Sequence, residues 1–402
     1  MTQDSDVLIV GAGPAGLALA VALADAGLRS LVLEQQPLSA LEQPAEDGRE
    51  IALTHRARRL MQAWGLWQRL PEEAIAPLRE ARVLDGEAPT TLSFGAGDRR
   101  GQEALGWLVP NHLIRAAALA AAQAHPSVQL LGEARVSALS LGSHGARLHL
   151  ADGRDVSAPL VVAADSRFSG TRRLAGIGAS MHDFGRSVVV GRVARSAPDD
   201  GIAWECFRYG NTLALLPLNG GLSSAVVTVD SRQAAEWLAL DDAAFAARIE
   251  AQAGGRLGAL QAAGPRHHYP LVAVYAHRFA THRCALIGDA AVGMHPVTAH
   301  GYNFGLYGVE ALADALRQAR VAGQDIGSLA ALQPFERRHR MATLPIYLGT
   351  NAIVSLFTDE RTLPRLVRRT VLSAAAQAPL LGGAIRGMIT RQLMGQRWRE
   401  AR

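Results

Sequence analysis

The chain contains no lysine, so all 41 of its Lys+Arg residues are arginines. Abundant arginine and alanine can follow from genome composition, and arginine identity alone carries no functional reading. Cysteine is almost as scarce. Cys206 and Cys284 are the only two, which argues against a disulfide framework or a cysteine-based metal site and fits a reducing compartment. No run of about 18 apolar residues occurs, so a membrane-spanning helix is not expected. The chain enters its first apolar run at Val7, leaving no room for a charged, apolar and cleavable leader, and a cytoplasmic protein is expected. Basic and aromatic residues are not interleaved, and the positive charge is confined to one end, which excludes nucleic acid as the expected partner. From Asn351 to Arg402 nine arginines face only Asp359, Glu360 and Glu400, so this tail, at +6, outweighs the whole chain's +5.

What is present is organised around Val7 to Glu34. An apolar run (Val7, Leu8, Ile9, Val10) enters Gly11-Ala12-Gly13-Pro14-Ala15-Gly16 and then an Ala/Leu segment, which reads as strand, tight turn and helix. In this pattern Gly11 permits the sharp turn, Gly13 lets a pyrophosphate approach bare backbone at the helix start, and Gly16 lets the helix pack closely on the sheet. Asp25-Ala26-Gly27 supplies the helix stop, and a second apolar strand over Leu28 to Leu33 ends at Glu34. An acid there suits a ribose diol with a free 2'-hydroxyl, so the unit predicts FAD or NAD rather than NADP.

A polar loop with Pro37, Pro44 and Gly48 follows, and Arg49 emerges from it beside the nucleotide unit. Asn111 is expected to cap an Ala-rich helix carrying Arg115, and Asp152-Gly153 marks a hairpin. The apolar strand Pro159 to Ala164 ends at Asp165, a site candidate because ligands collect at the carboxyl ends of strands in doubly wound sheets; a helix cap is the alternative. From Arg186 to Tyr275 the strands alternate or carry aromatics, with one helix expected near Ala234 to Gln252, and this reads as an inserted antiparallel substrate domain. The chain then returns to a buried strand at Cys284 to Ile287 ending in Gly288-Asp289, followed by a Gly/Pro-rich loop through His295, Pro296, His300, Gly301, Tyr302 and Asn303 into a helix. Such a loop at a helix start suits an anion or a polar ring edge. His295 and His300 have no third ligand at a useful spacing, and no metal is expected.

Gly11 to Gly16, then Asp165-Ser166-Arg167 through Arg172, then Gly288-Asp289 through Gly305 stand in the order of the flavin-dependent aromatic hydroxylases, the p-hydroxybenzoate hydroxylase-like family, which most of the chain resembles. Arg49 with Ala52-Leu53, Gly65-Leu66-Trp67, His295-Pro296 and Asn303 are most similar to its ubiquinone-biosynthesis branch. Ala299-His300-Gly301 resembles the form found in demethoxyubiquinol hydroxylases. Three places depart from the pattern: Ser166 stands where Gly is usual, Val292 where His often follows Gly-Asp-Ala-Ala, and Ala299-His300 where Gly-Gln is usual.

The resemblance implies an α/β fold. A Rossmann-like FAD-binding domain over 1–75, 102–180 and 276–345 would carry an inserted mixed or antiparallel-sheet substrate domain over 76–101 and 181–275, with a helical, basic amphipathic tail over 346–402. It implies FAD bound through Gly11, Gly13, Pro14, Ala15, Gly16, Glu34, Arg49, Arg115, Val136, Asp165, Gly288, Asp289, Gly301, Tyr302 and Asn303, with NADH or NADPH as external donor. Val136 would touch the adenine and Asp289 the ribityl chain and pyrophosphate. The implied reaction is hydroxylation of a ubiquinone-precursor ring by O2 through a flavin hydroperoxide. His295, Pro296, His300 and Tyr302 would wall the reacting carbon, a histidine there assisting removal of a phenol proton.

The tail, with Leu363, Leu366, Val367, Thr370 and Val371 at helical spacing and Arg365, Arg368 and Arg369 on other faces, suits an anionic membrane surface or a quinone-biosynthesis complex. The alternatives are a soluble phenol or benzoate-type hydroxylase and a flavin-holding subunit without turnover.

Overall fold

The computed structural model describes residues 5–85, 91–95, 104–198, 200–207, 211–294 and 301–358. Val7–Val10 is buried at every position because it is a central strand. It pairs in parallel with Ser30–Leu33 on one side and Leu160–Ala163 on the other. Cys284–Leu286 extends the sheet beyond Leu160–Ala163, Val128–Leu131 closes the other edge, and the short Ala280–Thr281 is the antiparallel member. A parallel strand needs cover on both faces. Val7 and Ile9 face a helical layer, while Leu8 and Val10 face a small antiparallel sheet of Val136–Leu141, Ala146–Leu150 and Asp155–Ala158.

Pro14–Asp25 starts with proline at its first turn and is buried from Gly16 to Leu23, lying against helices Asn111–Gln123 and Gly301–Val321. It ends where Gly27 takes φ +74° and the Leu28 N–H returns to the Leu23 carbonyl at 2.9 Å, a left-handed cap that glycine makes cheap.

The second sheet carries, in order, Val292–Gly293, His267–Ala276, the 17-residue strand Ala179–Arg195, Leu222–Asp230, Thr212–Pro217, Ile202–Phe207, Glu80–Asp85 and Thr91–Gly95, with Leu260–Ala262 also pairing Ala179–Arg195. It is antiparallel except between Ile202–Phe207 and Glu80–Asp85. Trp237 and Phe245 anchor the helices that cover its back face. A three-stranded sheet of Glu50–Leu53, Gly106–Pro110 and Ala76–Leu78 stands between the two larger ones.

Two local expectations are corrected. The helix expected over Ala234 to Gln252 is two helices, Ala234–Ala239 and Asp242–Ala253, because the Asp241 carboxylate caps the second by accepting the Ala244 N–H at 2.7 Å. Asn111 does not cap its helix. It is the first helical residue, after Pro110, and its side chain donates instead to Asp47 at 2.7 Å. Helix Leu329–Thr358 runs through position 346 without a break, with Pro334 and Pro345 inside it. The tail residues from 359 onward lie outside the described residues.

Candidate flavin site

At the first strand end, Gly11 adopts φ +106°, and a Cβ there would come within 2.6 Å of the Ala164 carbonyl oxygen. A Cβ on Gly16 would collide with the Gly11 carbonyl. Both glycines are therefore demanded by the fold. Gly13 is different: a Cβ there would meet nothing within 4 Å, and no side chain caps the helix it precedes. Bare backbone, open space and the positive end of a helix coincide there, which fits a dinucleotide pyrophosphate. The Glu34 carboxylate is held by the N–H groups of Ala12 (2.9 Å) and Gln36 (3.1 Å). Ala134 donates to the Glu34 carbonyl at 2.8 Å, bringing half-buried Val136 to the same end of the sheet.

The second and third strand ends converge on this turn. A Cβ on Gly288, which has φ +56°, would lie 3.3 Å from the Ala15 side chain, and one on Gly305 would lie 3.5 Å from it. Positions 15, 288 and 305 thus meet at the start of the first helix. Asp289 accepts from the Arg167 guanidinium at 3.0 Å, and Arg167 also donates to the Val272 carbonyl at 3.1 Å. Asp165 accepts from the Ser169 hydroxyl at 2.5 Å and the Thr171 N–H at 3.0 Å, so its carboxylate steadies the short helix Gly170–Leu174, the capping alternative. Ser166 beside it holds φ +119°, a conformation natural to glycine and strained for serine.

Helix Gly301–Val321 opens at the same place, and a Cβ on Gly301 would meet nothing within 4 Å. Fully buried Asn303 turns its side chain inward, accepting from Thr54 N–H at 3.0 Å and donating to the Ala52 carbonyl at 2.8 Å. Tyr302 packs against the main core, and its hydroxyl has no hydrogen-bond partner among the described residues; burial pushes its phenol well above the usual range. Arg49 pairs with Asp47 at 2.6 Å and lies over the Tyr269 ring. Asp47 titrates below its ordinary value: burial opposes this, but the Arg49 and Asn111 contacts outweigh it. Arg115 is half-buried on Asn111–Gln123, near enough to His112 for its charge to add to the burial that lowers that imidazole. His295, Pro296 and His300 lie outside the described residues.

Residues 4–327 match a family model described as an FAD binding domain. The chain is 43% identical to ubiquinone hydroxylase UbiM of Neisseria meningitidis, across 98% of this chain and 86% of that protein. It is 37% identical to ubiquinone hydroxylase UbiL of Rhodospirillum rubrum, across 97% and 90%. The chain belongs to this family of FAD-binding proteins. Its fold is shared with p-nitrophenol 4-monooxygenase PnpA from Pseudomonas putida, with a TM-score of 0.76 at 18% identity, covering 99% of this chain and 100% of that one.

Within the family fold, several residues that position the site have no sequence signal of their own. Thr54 caps helix His55–Ala63 and contacts the Tyr307 hydroxyl at 2.6 Å. Glu50 is buried and paired to Arg192 at 2.8 Å; burial raises its carboxyl above the ordinary value despite that partner. Only Ser166 had a visible clue, its departure from the usual glycine. Among the described residues no group of three or more His, Cys, Asp or Glu could hold a metal ion, and no helix is long and apolar enough to cross a membrane.

Proposed function

We propose that the chain is an FAD-dependent monooxygenase that hydroxylates the aromatic ring of a ubiquinone precursor, with O2 as oxygen source and NADH or NADPH as donor. The observation that carries the reading is the meeting of Ala15, Gly288 and Gly305 beside open backbone at Gly13 and Gly301, in a chain 43% identical to a ubiquinone hydroxylase. FAD, when bound and reduced, supplies the activation of oxygen, and the protein supplies position and dryness.

The division of labour follows from the residues. Glu34 holds the adenosine ribose beside Val136. The amides from Gly13 to Gly16, with Pro14 and Ala15 in the helix's first turn, hold the pyrophosphate, and Arg49 and Arg115 add positive charge. Asp289 and Gly288 hold the ribityl side, supported by Asp165 and its loop. Amides of Gly301 to Asn303 and the positive helix end stabilise negative charge on the pyrimidine edge. His295, Pro296, His300 and Tyr302 wall the reacting carbon. The functional units are 1–75, 102–180 and 276–345 for flavin, 76–101 and 181–275 for substrate, and 346–402 for docking on an anionic membrane surface where the prenylated substrate resides.

Two measurements test this. Disruption of the gene should cause one prenylated precursor to accumulate by mass spectrometry; an unchanged quinone pool in a strain without a redundant enzyme would defeat the reading. Removal of 363–402 should lower sedimentation with anionic vesicles while FAD stays bound, and unchanged sedimentation would remove the docking role.

A further inference from the structure

Strand Ile202–Phe207 lies between Thr212–Pro217 and Glu80–Asp85. Trp204 and Cys206 both pack into the cluster behind the sheet, with Trp237 and Phe245. Alternation along the strand therefore turns Glu205, between them, to the opposite face. Its cross-strand neighbours there are Val83 and Ala214, with Val226 beyond Ala214. This is the face that meets the flavin-binding half. Leu216 packs with Ala52, the Tyr269 hydroxyl donates to the Asp47 carbonyl at 2.5 Å, and Arg192 pairs with Glu50.

Glu205 thus places a carboxyl on an apolar wall that faces the strand held by Asn303. It makes no hydrogen bond or ion pair among the described residues, and no described charge acts on it. The nearest charged pair on the neighbouring strand, Arg82 with Glu80, is on the back face, with Arg82 over the Trp204 ring. An acid with no partner among the described residues, on such a wall, costs stability that a valine would not.

We propose that Glu205 is the general base of the hydroxylation, accepting the proton of the substrate's ring hydroxyl. This rests on the hydroxylase reading above. The phenol O–H bond breaks, its electron pair stays on the ring oxygen, and the electron-rich phenolate accepts one oxygen atom of O2 at a ring carbon. The other atom leaves as water, with two electrons from NADH or NADPH. The ring carbon then loses its hydrogen as a proton, and Glu205 returns its proton to the ring oxygen. Desolvation pushes the Glu205 carboxyl up to about 8, close to working pH, where a base is most effective. Because the ionised form is the active one, turnover rises with pH through that region.

The test uses purified FAD-loaded enzyme with ortho-geranylphenol and a difluorinated, more acidic analogue. Glu205→Gln should keep its FAD, lose on the order of 100-fold in kcat on the first phenol, lose the rise with pH, and recover most of the deficit on the acidic phenol. Wild-type kcat and pH profile in Glu205→Gln, or an equal loss on both phenols, would overturn the assignment. If Glu205→Gln fails to hold FAD, Glu205→Asp carries the test: a displaced pH limb supports the role and an unmoved one overturns it. A wild-type enzyme that hydroxylates neither phenol would bring down the hydroxylase reading, and this assignment with it.

Discussion

The Asn303 side-chain oxygen accepts the Thr54 N–H at 3.0 Å, joining positions 249 residues apart in a fully buried contact. The same amide donates to the Ala52 carbonyl at 2.8 Å. The start of helix Gly301–Val321 is thereby fastened to strand Glu50–Leu53, whose Ala52 packs with Leu216 of the second sheet. Asn303→Ala would leave a buried donor and a buried acceptor unpaired, which costs about 2–4 kcal/mol. The urea midpoint of the FAD-free protein should fall accordingly; an unchanged midpoint would show that the clamp is dispensable.

The glycines of the first turn should separate by role. Gly13→Asp meets open space, so the variant should fold with a wild-type far-UV spectrum and lack the yellow flavin absorbance, because an acid replaces bare backbone at the phosphate position. Gly16→Val meets the Gly11 carbonyl and should fail to accumulate as folded protein. Full FAD occupancy in the Gly13 variant would contradict the pyrophosphate assignment.

Ser166 at φ +119° predicts an unusual gain. Ser166→Gly should stabilise the protein by about 1 kcal/mol, the strain a non-glycine residue carries there, less the added freedom of the unfolded chain. Calorimetry of wild type and variant in the same buffer measures it. A lower melting temperature would mean that the serine side chain compensates its own strain.

His339 is buried among Phe279, Phe335 and bare backbone at Gly308. Burial, reinforced by the charges of Arg56 and Arg338, pushes its imidazole down from 6.5 to about 3. Below pH 6.5 the unfolded chain takes up a proton that the native state refuses, so stability falls as pH drops from 6.5 toward 3 and is unaffected above. The slope approaches about 1.4 kcal/mol per pH unit for one proton. The drop in urea midpoint between neutral and mildly acidic pH should be smaller in His339→Gln than in wild type. Identical slopes would place the acid sensitivity elsewhere.

The parts of the candidate site whose local geometry was legible in the sequence share one property. Gly11, Gly13, Gly16 and Glu34 are set by a turn, a helix start and a strand end, all local demands of the backbone that appear within about 30 adjacent positions. Gly288-Asp289 was legible for the same reason. Asp165 was half legible, since a strand-terminal acid serves a ligand or a helix cap equally well until its neighbours are seen. The single helix expected over Ala234 to Gln252 failed because Asp241 interrupts it, a local signal that the surrounding Ala/Leu pattern masked.

By itself the sequence determined the dinucleotide turn and the alternation from parallel to antiparallel sheet. Only the tertiary structure decided that Ala15, Gly288 and Gly305 meet, that Asn303 clamps Thr54, that Arg167 holds Asp289, and that Glu205 shares a sheet face with Leu216, which packs with Ala52. Turns and caps answer to adjacent residues, whereas these contacts join segments that adopt one register only once the cores on both faces of each sheet are packed.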